Sequence, residues 1–155
     1  MTNMRRKDRE LPRELALALV DTCAYAVMAT VNSDGSPYCI PLSPVREGEW
    51  LYFHSALEGH KIGNLRHESR VCISCVGDVK VVPGKFSLFF ESVVINGTAS
   101  EITDREGKIH ALDLISRRYT PDNMAAFNET IERQLALTGV WKIHIDEISG
   151  KGKMQ

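Results

Sequence analysis

An Asp34-Gly35 pair, set between two apolar runs, constrains the fold more than any other feature of this sequence. The runs are Ala24–Val31 and Pro37–Val45. Asp-Gly readily takes up the backbone conformation of tight hairpin turns, so the runs are predicted to be antiparallel strands. The prolines of the second run cannot donate backbone hydrogen bonds, so this strand is expected at an edge of the sheet or with a bulge.

Further apolar or alternating runs, each bounded by turn residues, predict more strands. They are Trp50–His54, Val71–Val76, Phe86–Ser100 and Val140–Asp146. The order is not an alternation of strand and helix, which argues against a doubly wound parallel sheet. The prediction is a mainly β fold: six antiparallel strands with flanking α-helices, which close into a small barrel because closure removes exposed strand edges. The segment from Gly77 to Lys85 has no assigned element.

Helical periodicity and capping signals predict the flanking helices. The predicted helices are a short one opened by Pro12, one over Ser55–Arg66, one from a capping box at Thr103–Glu106 to about Arg118, and one that starts at Thr120–Asn123 and stops at Gly139. We expect a single domain over residues 1–155, with loose ends at about 1–10 and 149–155.

Charge and hydropathy exclude several classes of protein. Nineteen Lys and Arg residues against twenty Asp and Glu residues give a net charge of -1, whereas a nucleic-acid partner calls for a basic excess. No apolar run approaches the roughly 20 residues of a membrane-spanning helix. The N-terminal residues have no apolar stretch typical of a secretory signal, so a cytoplasmic location is expected.

The four cysteines, at positions 23, 39, 72 and 75, all lie in apolar segments and are expected to be free, buried thiols. Cys72 and Cys75 form a CxxC pattern within a predicted strand. Residues three apart in a strand point to opposite faces, so a shared metal or a redox role for this pair is not expected.

The segment Phe53–Arg66 is the richest in chemically active side chains. A helix start presents free N–H groups to an anion, and Ser55, His60 and Lys61 could add donors for a phosphate group. The alternative is structural: Ser55 and Glu58 form a capping box, and Lys61 is an ordinary surface charge. The residues alone leave both interpretations open.

His54 is the one histidine beside this polar segment, and a chemical and a structural role are equally compatible with its position. No P-loop, dinucleotide fingerprint, nucleophile elbow or metal-binding histidine spacing occurs in the sequence. If the protein is an enzyme, a cofactor is therefore expected to carry the reaction.

Several of these segments together resemble the pyridoxamine 5'-phosphate oxidase-like FMN-binding split-barrel family. The resemblance is closest to its nitroimidazole-resistance type and runs from about residue 4 to residue 148. The segments are Met4–Glu10, Ala29–Leu42, Leu51–Lys61, Asn64–Arg66 and Arg70–Ile73.

The resemblance implies a six-stranded antiparallel split β-barrel that forms a homodimer, with FMN at the subunit interface. It assigns the flavin ring to Ile40, Pro41, Leu42 and Ser43, and the ribityl phosphate to Phe53, His54, Ser55, His60 and Lys61, with Asn64 assisting. Ser92 would approach the flavin from the other subunit, and Trp141 is a further cofactor-binding candidate. Catalysis would involve His54, which would donate a proton to the small acceptor or orient it.

Two departures from the family pattern narrow the expected activity. His60 stands where many members carry arginine, so the second charge at the phosphate depends on pH. The C-terminal substrate signature of true pyridoxamine phosphate oxidases is missing, so oxidation of that vitamin is not expected. The expected activity is FMN-dependent reduction of a small acceptor such as a nitroaromatic compound. The alternatives are a non-catalytic flavin- or haem-binding carrier or sensor and a deazaflavin-dependent reductase.

Overall fold

Antiparallel β-structure makes up most of the computed structural model, which describes residues 3–153. The strands are β1 (Glu10–Leu11), β2 (Ala26–Val31), β3 (Pro37–Leu42), β4 (Val45–Glu47), β5 (Trp50–Ala56), β6 (Arg70–Val76), β7 (Lys80–Val81), β8 (Leu88–Glu101) and β9 (Thr138–Lys153). The helices are α1 (Arg13–Thr22), α2 (His60–His67), α3 (Arg105–Tyr119) and α4 (Phe127–Gln134). Short 3-10 helices span Lys7–Arg9, Pro121–Ala126 and Leu135–Leu137.

The strands of the described chain form a sheet in the order β3-β2-β6-β8-β9-β5-β4, with β1 paired to β9 and β7 paired to β8. All of the long strands predicted from the sequence are present. The sheet differs from a closed six-stranded barrel, because the short β1, β4 and β7 bring the number of strands to nine and the path ends at β3 and β4. The mainly β antiparallel architecture with flanking helices is confirmed.

The hairpin between β2 and β3 has the predicted position. Gly35 has a φ of 84°, and its N–H donates to the carbonyl of Asn32 at 2.8 Å. Asp34 accepts hydrogen bonds from the hydroxyl and the backbone N–H of Ser36, and these bonds lower the pKa of its carboxyl group. The proline-containing β3 lies at the end of the sheet path, so the predicted edge position is also confirmed.

Strand β9 is longer than the sequence indicated. It runs through the C-terminal segment that was expected to be loose, where its residues pair with β8 and with β1. The prediction that Gly139 ends a helix is wrong, because Gly139 lies in β9 opposite Ser55. A Cβ atom at Gly139 would lie 2.8 Å from the carbonyl oxygen of Ala56, so close strand packing explains this glycine. Residues 1, 2, 154 and 155 of the predicted loose ends lie outside the described chain.

Helix α2 begins later than predicted, because β5 continues through Ser55 to Ala56. The hydroxyl of Ser55 donates to the Ala56 carbonyl at 2.7 Å and therefore does not cap the helix. Gly59, with a φ of 147°, occupies the N-cap position without a side chain. The capping-box interpretation of Ser55 and Glu58 is thus wrong.

The C-terminal helical region also differs from its prediction. The segment predicted as one helix from Thr120 onward divides into a 3-10 helix, α4 and a second 3-10 helix. The first 3-10 helix has hydrogen bonds between residues three apart, a tighter pattern than in an α-helix: the Asn123 N–H donates to the Thr120 carbonyl at 3.0 Å. At the start of α3, the cap is Asp104 and not Thr103, because the Asp104 carboxylate accepts the Gly107 N–H at 2.8 Å.

Replacing Asp104 with alanine is expected to lower the free energy of unfolding by about 1 kcal/mol, the usual contribution of an N-cap side chain. The substitution leaves the Gly107 N–H without its acceptor. Urea unfolding followed by circular dichroism measures the change. Thr103→Ala is the matched control and should leave the stability unchanged; an equal loss in both variants would show that Thr103 is the cap.

Two groups of buried side chains stabilise the fold. The larger lies between the sheet, α1 and α2 and includes Met28, Phe53, Ile73 and Ile95. The smaller packs α3 and α4 against β9 through Leu112, Ile131 and Val140, among others. In the described chain, no helix is long and apolar enough to cross a membrane.

Candidate functional site

The start of α2 follows the end of β5 and lies beside the edge strand β3, where His60 stacks on Tyr38. Gly59 is the residue directly before α2. Across this junction, the charge of Lys61 acts on the His54 imidazole of β5. The β5–α2 junction therefore brings these two predicted site residues near each other.

A buried amide links α2 to strand β2. The side-chain nitrogen of Asn64 donates to the hydroxyl of Thr30 at 3.0 Å and to the side-chain oxygen of Asn32 at 2.8 Å. Asn64 is only 6% exposed and Thr30 only 2% exposed. Because their side chains are shielded from water, these hydrogen bonds satisfy their buried polar atoms. Asn64 therefore fixes the position of α2 against the sheet.

His60 ties the first turn of α2 to the β2–β3 hairpin. Its Nε2 atom lies 2.7 Å from the side-chain oxygen of Asn32, and its ring stacks on Tyr38 with the centroids 4.0 Å apart. The other ring nitrogen, Nδ1, remains for a further partner. A cleft of about 530 Å³ lies here, lined by Asn32, Ser33, Asp34, Gly59, His60, Gly63, Asn64 and His67.

Lys61 supplies positive charge at the start of α2. It is half-buried, and within the described chain its ammonium group makes no ion pair. Lys61 also acts on His54: partial burial and then the nearby Lys61 charge lower the pKa of the His54 imidazole. The lowered pKa favours the neutral form of this imidazole.

The start of α2 suits an anionic group such as a phosphate. No side chain caps this helix, so the first backbone N–H groups have no partner within it. Their partial positive charge adds to that of Lys61. The donor set at the junction therefore fits the phosphate of a cofactor, and the hydroxyl of Ser55, at present bonded to Ala56, lies on the preceding strand.

Strand β3 presents its predicted flavin-ring residues on alternate faces. Leu42 is buried and Ile40 half-buried on the core side, whereas Pro41 and Ser43 are exposed. The carbonyl of the following Pro44 accepts hydrogen bonds from Arg118 at 2.8 Å and from Tyr119 at 2.6 Å. The end of β3 is thereby held in one position.

The remaining predicted site residues lie apart from the cleft. Phe53 and Trp141 face each other across β5 and β9, and with exposures of 1% and 3% both rings belong to the core. The indole Nε1 of Trp141 is buried without a hydrogen-bond partner in the described chain. Ser92 lies on β8, which β2 and β6 separate from β3, so within one protomer it does not join the group.

The sequence analysis missed three residues that shape this site, namely Thr30, Asn32 and Tyr38. Asn32 was interpreted only as part of a turn. Its side chain accepts bonds from residues 28 and 32 positions further along the chain, which local patterns do not reveal. Tyr38 on the edge strand offered a signal, since a half-exposed aromatic ring can stack on a neighbouring ring.

A family model described as pyridoxamine 5'-phosphate oxidase matches residues 12–152. The chain therefore belongs to this family, as the sequence resemblance predicted. No curated protein matches the chain significantly.

Solved structures of similar proteins support the same assignment. One is a protein from Bacteroides thetaiotaomicron provisionally described as a 5-nitroimidazole antibiotic resistance protein, with 29% identity, a TM-score of 0.78, and coverage of 92% of this chain and 86% of that one. Another is an FAD and heme binding protein from Mycobacterium smegmatis, with 26% identity and a TM-score of 0.82. The match covers 95% of this chain and 74% of that one. The flavocytochrome Anf3 from Azotobacter vinelandii shares the fold, with 23% identity and a TM-score of 0.82. The match covers 99% of this chain and 73% of that one.

Proposed function

We propose that this protein binds FMN and uses it to reduce a small acceptor such as a nitroaromatic compound. The observation that carries the proposal is the similarity, over 92% of the chain, to the protein described as a 5-nitroimidazole resistance protein. The uncapped, positively charged start of α2 supports the cofactor, because it suits the phosphate of FMN. Oxidation of pyridoxamine 5'-phosphate is not part of the proposal.

In the proposed scheme, different parts of the site bind different parts of the cofactor. Lys61, His60 and the first N–H groups of α2 hold the phosphate, with Ser55 and Asn64 in support. The segment from Ile40 to Ser43, which covers the end of the edge strand β3 and the residue after it, takes the flavin ring. A bound flavin supplies electrons to the acceptor. The protein binds the flavin, orients the acceptor and shields both from solvent.

His54 has a defined protonation state in this scheme. The lowered pKa favours the neutral imidazole, which carries one N–H that can donate a hydrogen bond to the acceptor. A neutral histidine orients a nitro or carbonyl oxygen without adding a full charge. Proton donation by the imidazolium form would increase as the pH falls.

A second copy of the chain is part of the proposal. The region from β6 through β7 to β8 exposes a group of large apolar side chains on the strands and in the connections between them, which is unusual for a surface that stays in water. They are Val76, Val79, Val81, Phe86, Leu88 and Val94. A homodimer that covers this face would also bring Ser92 of β8 to a subunit boundary, where it could reach the FMN of the partner. Light scattering of the purified protein tests the assembly, and a monomeric mass would contradict it.

Loading with FMN and anaerobic reduction by dithionite test the activity. The reduced protein is expected to be reoxidised by a nitroimidazole or a quinone at least tenfold faster than an equal concentration of free reduced FMN. The flavin absorbance is followed by stopped flow, and the reduced nitro product is identified by mass. Reoxidation no faster than that of the free cofactor, with every acceptor tested, would reject the reductase.

Haem binding without turnover is the second candidate, favoured by the similarity to the FAD and heme binding protein. An absorption spectrum of the purified protein separates the two candidates. A flavin spectrum supports the first, whereas a Soret band that disappears when an exposed histidine is replaced supports the second. Deazaflavin binding would show as a different absorption band in the same measurement.

A further inference from the structure

A chain of hydrogen bonds runs from the β2–β3 hairpin to His60, the first residue of α2. It begins at Asp34, whose carboxylate accepts the hydroxyl of Ser36 at 2.5 Å and the backbone N–H of Ser36 at 2.9 Å. These bonds lower the pKa of the Asp34 carboxyl group, which favours its ionised form. An ionised carboxylate only accepts hydrogen bonds. The Ser36 hydroxyl therefore donates its single proton to Asp34.

The direction of the later bonds follows from this first one. Because the Ser36 hydroxyl donates to Asp34, its oxygen is the acceptor for the side-chain nitrogen of Asn32 at 3.0 Å. The oxygen end of the Asn32 amide thus points towards α2, where it accepts from Asn64 at 2.8 Å and lies 2.7 Å from Nε2 of His60. An amide oxygen has no proton to donate, so Nε2 of His60 carries the proton of this bond.

The buried side of the network imposes the same direction. The hydroxyl of Thr30 donates to the carbonyl of Tyr38 at 3.5 Å, so it accepts from the side chain of Asn64 at 3.0 Å. The Asn64 group that contacts both Thr30 and Asn32 is therefore the NH2 group, whose two protons serve the two bonds. A neutral His60 ring is consequently held with its proton on Nε2.

The second ring nitrogen of His60 is an acceptor in this neutral form. Nδ1 then carries a lone pair, and it has no hydrogen-bond partner among residues 3–153. Phosphate oxygens are acceptors as well, so a neutral Nδ1 and a phosphate repel each other. The imidazolium form has a proton on both nitrogens and adds a positive charge beside that of Lys61.

We propose that His60 contacts the phosphate of FMN only as the imidazolium, so that cofactor binding takes up one proton at Nδ1. This inference rests on the proposed binding of FMN at the start of α2. The proton comes from solvent, forms the N–H bond at Nδ1 and is donated to a phosphate oxygen. His60 becomes neutral in the free protein as the pH rises, and the affinity for FMN then falls by up to about tenfold per pH unit. At a pH low enough to protonate the free His60, this dependence disappears.

Other titratable groups lie around His60. On the hairpin they are Asp34 and Tyr38, whose ring stacks on that of His60. Cys39 is exposed, contrary to the expectation of a buried thiol, and strand alternation turns it to the face of β3 opposite to Tyr38. The remaining groups are His54 of β5, Lys61 and His67 of α2, and Glu58, which pairs with Arg66. Histidine is the residue type that ordinarily changes charge between about pH 5 and 8, so the two other histidines require controls.

Nitrogen NMR of the histidine rings tests the first step without a cofactor. In the full-length, 15N-labelled protein at about pH 8.5, where histidine is ordinarily neutral, His60 is expected to carry its proton on Nε2. Its signals are identified by their absence in His60→Arg. A neutral His60 ring with its proton on Nδ1 would overturn the proposal, whatever the affinity for FMN.

Titration with FMN between about pH 6 and pH 8 tests the uptake of the proton. The ratio of the wild-type dissociation constant to that of His60→Arg is expected to rise at least about fivefold over this range, because arginine keeps its charge. The second proton of the phosphate, with a pKa of about 6, and the other histidines affect both proteins alike, so they cancel in the ratio. Circular dichroism confirms that the variant is folded.

Two controls make the result specific for His60 and for the phosphate. His67→Gln removes another histidine that lines the same cleft and should keep the wild-type pH dependence. Riboflavin, which lacks the phosphate, should give a ratio that does not change with pH. A constant ratio for FMN, with both proteins binding it, would reject this inference and leave the proposed function intact. No binding of FMN to either protein at any pH would reject the proposed function, and this inference with it.

Discussion

Replacing Phe53 with alanine is expected to lower the free energy of unfolding by about 3–5 kcal/mol, the usual cost of removing a buried aromatic ring. Phe53 is 1% exposed and lies opposite Trp141 in the larger core. Its removal opens a cavity that the two paired strands cannot close by moving. Urea unfolding monitored by circular dichroism measures the loss.

Leu137→Ala is the control for this prediction. The side chain of Leu137 is 64% exposed and lies outside the proposed dimer face, so its removal should change the stability by less than about 0.5 kcal/mol. A stable Phe53→Ala protein with weakened FMN binding would show that the ring serves the cofactor and not the core. The structure favours the core, since a buried ring offers no surface to a ligand.

Replacing Lys61 with alanine is expected to weaken FMN binding by about 1–3 kcal/mol, the scale of a hydrogen bond to a charged group. This corresponds to a dissociation constant roughly 5- to 150-fold higher. The substitution removes the ammonium group beside the uncapped start of α2 and leaves the helix intact. Isothermal titration with FMN, and with riboflavin as a ligand without the phosphate, measures the effect.

The riboflavin titration makes this prediction specific for the phosphate. Lys61→Ala should leave riboflavin binding unchanged, and Lys61→Arg should keep most of the affinity for FMN. Lys85→Ala removes an exposed lysine far along the chain from α2 and is the matched control. An unchanged dissociation constant for FMN in Lys61→Ala would refute the phosphate role.

Local signals in the sequence predicted the parts of the fold that depend on neighbouring residues. The Asp34-Gly35 turn was predicted correctly because it determines its own backbone geometry. Gly139 was misinterpreted because a glycine can end a helix or allow close packing, and the sequence does not distinguish the two. Gly150 and Gly152 looked like a loose tail, yet their missing side chains make room for Leu11.

In the candidate site, too, the sequence predicted features that depend on nearby residues but not contacts between residues far apart in the chain. The group expected around Lys61 comes from one short segment; the structure brings Lys61 near His54 but leaves Phe53 in the core. The bonds of Asn64 to Thr30 and Asn32, by contrast, join residues 34 and 32 positions apart.

The position of β9 affects how the chain can fold during synthesis. β9 lies between β8 and β5, and in the described chain it is the strand that joins the β3-β2-β6-β8 group to the β5-β4 group. It is also the last of these strands to leave the ribosome. Until then, β5 and β8 each carry an unpaired edge, and such edges readily pair with other chains. Completion of β9 therefore removes two strand edges through which the nascent chain can pair with other chains.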